Sequence, residues 1–558
     1  MPALSFRIPI KNCGVDGEAT IVMSLSSELT GAQLTAEALR SLNVDVVFGI
    51  VGIPIVEIAE ACIAVGIRFV AFRNEQSASY AAQAYGYFTG RPGVCLVVGG
   101  PGVVHAMAGI VNAQVNCWPI LVIAGYIETY QKEMGGFQEL DHISLLKPHT
   151  KFAAQPPSID RIPFILEKAY RSAFYGRPGP AFIDIPANFI RSSIKGSITP
   201  SSLPPVPDSP RSMGSPDMIS QTVTRLRNAK APLVVIGKGC AYARAETQIR
   251  ALVDSAQLPF LPTPMGKGVI PDSHPLNVAA ARSTALANAD VVLLLGARLN
   301  WILHFGKGPK WRDDVTFIHV DIAAEELGNN ARNSTIRLLG DVGLIADQLR
   351  SSLSGWAYQA RSSPFMKDIR EKTNKNTANA TKLGRSDKIP MGYHRALTEI
   401  KDGLVGLDIV YVSEGANTMD ISRSIFDVQE PRRRIDTGMF ATMGVGMGYA
   451  IAGKFTLTFI LTSSSPNSQS YQEGSCGCRR FSVWIQIPST VIRTLTHSSA
   501  MEVETAVRSH LPLLIFVINN NGIYHGLNAA TYGKANPLLS TALSPDTRYD
   551  MIAEVSFL

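Results

Sequence analysis

The chain has 558 residues and a net charge of +7, with 46% hydrophobic and 17% charged residues. This length allows three or four domains of about 150 residues each, and the composition is that of an ordinary globular protein. The longest apolar runs, such as residues 511–518, fall far short of the ~18 residues that a membrane helix needs. These lengths disfavour a membrane span. The densest basic cluster is only Arg432–Arg434, which disfavours nucleic-acid binding.

The seven cysteines are scattered, and only Cys476 and Cys478 lie close together. Their spacing matches neither a zinc site nor a disulfide framework, which favours a reducing compartment. The N-terminus lacks the basic and apolar stretches of a secretory signal. The final Ser-Phe-Leu also differs from the Ser-Lys-Leu tripeptide that addresses proteins to peroxisomes. The sequence therefore predicts no targeting signal in this chain.

Short apolar runs alternate with helical patterns along the chain, which indicates parallel α/β sheets. Many runs end in Gly or Gly-Pro, so a turn follows the carboxyl end of the strand, the edge where ligands bind in open α/β sheets. In chain order, the predicted strands are residues 45–52, 94–100, 119–125, 180–186, 232–239, 290–297, 317–322, 408–415 and 511–518.

Two polar linkers divide this pattern. Residues 191–216 are rich in Ser and Pro, and residues 363–389 are polar and charged, as expected of connections between domains. We therefore predict three α/β domains with doubly wound parallel sheets, over residues 28–190, 217–355 and 390–558.

Three motifs of the first predicted domain offer polar groups. Glu75 stands at a helix start, where the helix dipole favours an acid, or it is an acid held in a pocket to share a proton. The turn Gly99–Gly102 between a strand and a helix either serves the fold alone or binds an anion. Gln138 lies on a loop with two acids, for which ordinary loop polarity is the alternative to a functional role.

Three motifs follow in the last predicted domain. SEGANTMD comes after a strand and offers Asn417 and Thr418 to a phosphate or a ring. FATMGVGMG is a glycine-rich helix entry, in which Met443 either packs in the core or supports a ligand. Asn519–Asn521 end an apolar run, and buried amides need partners. Their oxygens suit a hard divalent cation, which normally takes a carboxylate as well.

In this order, the motifs resemble the thiamine-diphosphate-dependent decarboxylase and lyase family, which includes acetolactate synthase and benzaldehyde lyase. Within it they are similar to the 2-hydroxyacyl-CoA lyases, with the oxalyl-CoA decarboxylases next. The resemblance covers roughly residues 30–452 and 500–552. It also rests on the stretches FGIVGIP, RPGVCLVV, NCWP, FQE, GRPGPAFIDIPA, LPFLPTPMGKGVIPD, GARLNWILHFG, MEVET and NNNGIY.

The resemblance implies a first domain that binds the pyrimidine of thiamine diphosphate, a central domain for ADP or the CoA moiety, and a last domain that binds diphosphate and Mg²⁺. It implies a site shared between subunits, hence a homodimer or homotetramer. The implied reaction cleaves a 2-hydroxyacyl-CoA to formyl-CoA and an aldehyde one carbon shorter, as in fatty acid alpha-oxidation. Peroxisomal residence is implied too, with a cytoplasmic location as the alternative.

The resemblance also assigns roles to individual residues. Glu75 matches the glutamate that hydrogen-bonds the aminopyrimidine, and Gln138 matches a loop position that enters the partner subunit's site, so both are predicted catalytic residues. At the position of Phe137-Gln138, the oxalyl-CoA decarboxylases of this family have Tyr-Glu. By resemblance, this difference favours the lyase. Met443 matches the residue that supports the bent cofactor. Further predicted cofactor contacts are Tyr393, Ala416, Asn417, Thr418, Ala441 and Thr442. Predicted CoA contacts are Thr263, Pro264, Met265, Gly266, Lys267, Arg282 and Arg423.

Residues 453–499 depart from the family's pattern, because Ser and Thr dominate and the alternation fades. Asn520 and Gly522 match metal ligands, but Arg493 stands where the family has its acidic ligand. A cation about 4 Å from a divalent ion is repelled by several kcal/mol even at moderate screening. We therefore predict weak binding of Mg²⁺ and thiamine diphosphate. Either the segment is unspliced or frame-shifted, or the protein is a divergent, catalytically inactive isoform. We also expect the last domain to be incomplete.

Overall fold

The computed structural model describes residues 6–8, 19–21, 28–195, 205–331, 335–463, 482–488, 500–518 and 551. These residues form three parallel sheets flanked by helices, which confirms the predicted α/β class. Three short strands come first, namely β1 (Phe6–Ile8), β2 (Ala19–Ile21) and β3 (Glu28–Thr30). β1 and β2 form an antiparallel pair. None of the helices in the described residues has both the length and the apolar character that spanning a bilayer demands.

The first sheet contains strands β4 (Val46–Gly49), β5 (Arg68–Ala71), β6 (Gly93–Val97), β7 (Ile120–Tyr126), β8 (Phe152–Ala154) and β9 (Pro180–Pro186). Its helices are α1 (Gly31–Ser41), α2 (Val56–Ala64), α3 (Glu75–Thr89), α4 (Pro101–Asn116), α5 (His142–Leu146), α6 (Ile162–Phe174) and α7 (Ala187–Arg191). The strand order is β5-β4-β6-β7-β9-β8. Strand β10 (Ser193–Lys195) then pairs with β3 antiparallel. The central strands carry continuous apolar runs because helices cover both faces of the sheet.

The middle sheet contains strands β11 (Pro232–Ile236), β12 (Phe260–Pro262), β13 (Val291–Leu295), β14 (Thr316–Asp321) and β15 (Thr335–Leu339). Its helices are α8 (Pro216–Asn228), α9 (Lys238–Tyr242), α10 (Glu246–Ala256), α11 (Arg282–Asn288) and α12 (Val342–Ser352), and the long α13 (Pro364–Gly384) follows. The strand order is β12-β11-β13-β14-β15, and a separate hydrophobic core fills this unit.

The last sheet contains strands β16 (Ile409–Ser413), β17 (Arg434–Asp436), β18 (Ser482–Pro488) and β19 (Leu513–Ile518). Its helices are α14 (Tyr393–Gly403), α15 (Ala416–Ile425), α16 (Val445–Ser463) and α17 (Glu502–Arg508). The strand order is β17-β16-β18-β19. A central strand, β18, therefore lies inside the segment that departs from the family's pattern. The domain boundaries drawn from the sequence remain predictions.

A hydrophobic core joins the first sheet to the last through α3 and α16. The ring of Tyr449 in α16 packs edge-on against Tyr80 and Trp118, with centroid distances of 6.2 Å and 5.3 Å. The helices are so close that a Cβ on Gly448 would come 2.7 Å from the backbone oxygen of Ser77. The first and last domains of the chain are therefore packed as one unit.

Candidate functional site

Glu75 is the first residue of α3, and its side chain is only 14% exposed. The side chain of Asn74 caps the helix by accepting a hydrogen bond from the backbone N–H of Gln76 at 2.8 Å. One carboxylate oxygen of Glu75 lies 3.0 Å from Nδ1 of His105 in α4. The helix dipole favours an acid at this position, and the contact with His105 restrains its orientation. Glu75 is thus a mostly buried acid held between two helices.

Gln138 lies on a tight loop that is folded around Glu139. The carboxylate of Glu139 accepts hydrogen bonds from backbone N–H groups of the loop, which hold its pKa below its usual range. These donors belong to Glu133, Gly135 and Gly136. Gln138 has a left-handed backbone with φ of 62° and packs against Gly100, where a Cβ would come 2.6 Å from its backbone oxygen. Phe137 is left 88% exposed. The predicted loop residue therefore lies beside the glycine turn at the start of α4.

The last sheet offers a helix N-terminus to a ligand. Helix α15 begins at Ala416 after Gly415, whose φ is 85°, and no side chain among the described residues caps its first turn. Asn417 is exposed on that turn. The hydroxyl of Thr418 is buried and has no hydrogen-bond partner among the described residues. Uncapped N–H groups and the helix dipole together favour an anion at such a position.

Glu414 ties this helix start to the turn that precedes α16. Its buried carboxylate accepts hydrogen bonds from the backbone N–H groups of Gly444 and Gly446. Burial raises the pKa of Glu414 to about 7, although the two backbone hydrogen bonds act in the opposite direction. The same turn carries the predicted cofactor contacts Ala441, Thr442 and Met443. The residue before them, Phe440, accepts a hydrogen bond through its backbone oxygen from the Asn112 side chain at 2.8 Å.

The accessibility of the predicted cofactor contacts differs. Ala441 and Met443 are exposed, and Thr442 is half-buried. Tyr393 is the half-buried first residue of α14. The side chain of Met443 is 44% exposed, so it does not pack in the core, and its contact with the cofactor stays a prediction.

Part of the predicted CoA segment lines a cavity of about 80 Å³ at the carboxyl edge of the middle sheet. Thr263, Pro264 and Met265 contribute to its wall, together with Lys238 and Asp436. Gly266 packs onto the end of β11, because a Cβ there would come 2.1 Å from the backbone oxygen of Ile236. The segment thus borders the junction between the middle and last domains.

The predicted cationic CoA contacts meet at this same junction. Lys267 Nζ lies 2.8 Å from Asp272 and donates to the backbone oxygen of Arg423 at 2.7 Å. Arg423 forms two hydrogen bonds with Asp436, at 2.9 Å and 3.1 Å. The guanidinium of Arg282 lies 3.2 Å from Nε2 of His304. Lys267 thus contacts Arg423, and Arg423 lies close enough to Arg282 for the two charges to interact. The charges of Lys267 and Arg423 are already paired with acids.

A larger cavity of about 380 Å³ lies between the first and middle domains. The side chains of Tyr87 and Trp118 line it, and neither the Tyr87 hydroxyl nor Trp118 Nε1 has a hydrogen-bond partner among the described residues. Burial lowers the pKa of the Lys238 amine at its wall to about 7. The charged groups at this wall include Arg177, Lys238, Arg298 and Asp321.

Comparison with known proteins decides the family. The description "Thiamine pyrophosphate enzyme, N-terminal TPP binding domain" matches residues 29–145, and the central domain of the same enzymes matches residues 219–349. The 2-hydroxyacyl-CoA lyase 1 of Mus musculus is 45% identical over 540 residues, covering 94% of this chain and 88% of the relative. The chain belongs to the thiamine pyrophosphate enzyme family.

Two further relatives support this membership. The 2-hydroxyacyl-CoA lyase 1 of Homo sapiens is 46% identical over 512 residues, which are 90% of this chain and 83% of the relative. The oxalyl-CoA decarboxylase of Escherichia coli strain K12 is 36% identical over 534 residues, which are 94% of this chain and 88% of the relative. The resemblance inferred from the sequence is thereby confirmed.

The described residues fit the organic cofactor of a thiamine pyrophosphate enzyme. The unpartnered hydroxyl of Thr418 and the uncapped start of α15 suit a diphosphate, whereas Glu75 and the exposed Met443 suit the rings. The described residues contain no group of three or more His, Cys, Asp or Glu side chains that could hold a metal ion. The predicted metal ligands Asn520 and Gly522, and Arg493 as well, lie outside the described residues.

Sequence reasoning missed two residues of this site. His105 and Glu414 were not singled out, although His105 follows the turn Gly99–Gly102 and Glu414 lies in the motif SEGANTMD. A single acid or histidine on a helix has no spacing signature of its own. Its partners are distant in the sequence, so only the packing reveals them.

Proposed function

We propose that this thiamine pyrophosphate enzyme is a 2-hydroxyacyl-CoA lyase. It breaks the bond between carbons 1 and 2 of the acyl group, and the hydroxyl carbon leaves as an aldehyde. The hydrogen lost from the hydroxyl group is balanced by the one gained on the formyl carbon of formyl-CoA. The carrying observation is 45% identity to a 2-hydroxyacyl-CoA lyase over 94% of the chain, against 36% to an oxalyl-CoA decarboxylase over the same share.

The chemistry supplied by thiamine diphosphate is stabilisation of the electron pair left when a carbon–carbon bond beside a carbonyl breaks. In the proposed site, Glu75 holds a proton toward the pyrimidine, and His105 restrains the carboxylate oxygen that it contacts at 3.0 Å. Met443 supports the rings, and the first turn of α15 with Asn417 and Thr418 binds the diphosphate. Gln138 orients the substrate from its loop, and Lys267, Arg282 and Arg423 position the CoA group.

The test is an assay of the purified chain with thiamine diphosphate, Mg²⁺ and a 2-hydroxyacyl-CoA, in which formyl-CoA and the aldehyde are quantified by mass spectrometry. We expect both products in equal amounts, and a rate lowered about 100-fold or more in Glu75→Gln. Oxalyl-CoA is assayed in parallel. Formyl-CoA and CO₂ from oxalyl-CoA alone would favour the decarboxylase, and no product from either substrate by a folded chain would favour the inactive isoform.

We propose that the cavity between the first and middle domains binds an adenine nucleotide. The stacked rings of Tyr87 and Trp118 suit the adenine base, and the cations at the wall suit the diphosphate. The acid at the end of a strand, Asp321, suits the ribose. Calorimetric titration with ADP tests this without substrate. Arg177→Ala should weaken binding about tenfold, whereas Arg225→Ala, which changes an exposed arginine of α8, should leave it unchanged.

We propose a homodimer as the smallest assembly. Large apolar side chains of the first domain are exposed near the site, among them Ile53 at 75% and Phe137 at 88%. Such a surface is typical of an interface. Sedimentation of the purified chain should give a dimer, and Ile53→Glu should shift it toward a monomer. Peroxisomal residence also stays a proposal, which microscopy of the tagged chain in cells tests.

A further inference from the structure

Helix α17 lies against the turn that connects β5 to α3. One oxygen of the Glu502 carboxylate accepts hydrogen bonds from the backbone N–H groups of Arg73 and Asn74, both at 3.1 Å. The other oxygen accepts from the hydroxyl of Thr505 at 2.6 Å. The Glu502 side chain is fully buried. A buried carboxylate with several donors is a strong, specific connection, because leaving such donors unpaired is costly.

Further contacts between α17 and the same turn lie nearer the surface. Glu504 pairs with the Arg73 side chain at 2.7 Å, and Arg508 donates to the backbone oxygen of Ala71. The side chain of Arg73 is half exposed, and exposed ion pairs contribute little to stability. Glu502 is therefore the contact of α17 that holds the turn most firmly.

The two N–H groups held by Glu502 belong to the residues that immediately precede Glu75. Asn74 is also the N-cap of α3, so its backbone position fixes where the helix starts. A shift of this turn would move the Glu75 carboxylate relative to His105 in α4, which is 3.0 Å away. The contacts of Glu502 in the last domain thus restrain the position of Glu75 in the first domain.

We propose that Glu502 is a positioning residue, which fixes the start of α3 and thereby the location of the Glu75 carboxylate. This inference rests on the proposed function, in which Glu75 acts on the cofactor. The role of Glu502 depends on its acceptor oxygens and not on its negative charge. A glutamine can keep the same contacts, with its amide oxygen facing the two N–H groups and its amide nitrogen facing Thr505.

The first measurement is amide hydrogen exchange by mass spectrometry on the full chain without cofactor. Glu502→Ala and Glu502→Asp remove or shorten the acceptor, so exchange in residues 71–78 should rise about tenfold. Glu502→Gln should stay near the wild type. The matched control is Glu504→Ala, which changes an acid two positions further along the same helix and should leave these amides protected.

The second measurement is the lyase rate. Glu502→Asp should lower kcat on the order of 10- to 100-fold, because small displacements of a catalytic group are costly. The double variant Glu75→Gln with Glu502→Asp should be no slower than Glu75→Gln alone. Hydrogen exchange decides the positioning role even if the wild type shows no lyase activity. The proposal is overturned if Glu502→Gln behaves like Glu502→Ala, if residues 71–78 stay protected, or if exchange rises evenly over the first domain.

Discussion

Two carboxylates of this protein, Glu414 and Glu502, are buried and accept hydrogen bonds from backbone N–H groups. Glu414 holds the turn before α16, and Glu502 holds the turn before α3. Burial raises the pKa of both carboxyl groups to about 7, because the hydrogen bonds that they accept only partly offset the loss of solvation. Both acids therefore position backbone segments beside the proposed cofactor site.

The pKa of Glu414 makes the stability of the last domain depend on pH. In the unfolded chain this carboxyl ionises near 4.5, whereas in the folded chain it keeps its proton up to about 7. The free energy of unfolding should therefore fall, by roughly 1–3 kcal/mol, as the pH rises between these two values. Glu502 contributes with the same sign.

Glu414→Gln tests this dependence. The variant should unfold at a lower temperature throughout, because one backbone donor loses its acceptor. The change in its thermal midpoint between about pH 5 and about pH 8 should be smaller than in the wild type. Glu430→Gln, at an exposed acid of the same domain, should leave the wild-type change intact. Equal pH dependence in Glu414→Gln and the wild type would contradict the assignment.

The residues proposed at the site were found from the sequence only where a recognisable stretch carried them. Glu75, Gln138 and Met443 stand in such stretches, and their roles remain predictions. His105 could not be found in this way, because its contact with Glu75 spans two helices and depends on how α3 packs against α4. Residue-level chemistry is thus predictable where a motif exists, and partners contributed by packing are not.

At the level of elements, most central strands were predictable and the short edge strands were not, whereas the six-residue edge strand β19 was predicted from its apolar run. The run that forms β6 is buried on both faces and therefore reads as a continuous apolar stretch. β5, β8, β12 and β17 are three- or four-residue strands at the sheet edges, too short to show a period. β18 is a central strand, yet the segment around it is rich in Ser and Thr, which hid it.

The packing of α3 against α16 depends on Gly448. Gly448→Ala should destabilise the protein by about 1–3 kcal/mol, because the added methyl group overlaps the backbone of α3. Alanine is otherwise about 1 kcal/mol more favourable than glycine in a helix. Gly403→Ala in α14, where the added Cβ meets open space, is the matched control and should be neutral or stabilising. Denaturant unfolding of both variants measures the difference, and equal stability would argue against the close packing.

The affinity for the cofactor is a property of the whole molecule, because its binding groups come from distant segments. By resemblance, Arg493 occupies the position at which the family has its acidic metal ligand. We therefore predict weak Mg²⁺-dependent binding of thiamine diphosphate. Arg493→Asp should raise the affinity at least tenfold, whereas Arg493→Gln, which only removes the repulsion, should raise it less. Fluorescence titration with and without Mg²⁺ gives the dissociation constants. A tight constant for the wild type would contradict this prediction.

The core that joins the first and last sheets has a consequence for how the chain can evolve. Within the described residues, the middle sheet has its own core, the first and last sheets share a second one, and a third covers the other face of the first sheet. Substitutions at the contact of α3 with α16 must be matched by residues about 350 positions away in the sequence. The middle domain has a separate core and meets the other two through contacts such as Arg177–Glu326 and Lys267–Arg423, so its interior can change with fewer compensating substitutions elsewhere. The order of domains along the chain therefore differs from the order of packing, in which the first and last domains share a core and the middle domain has its own.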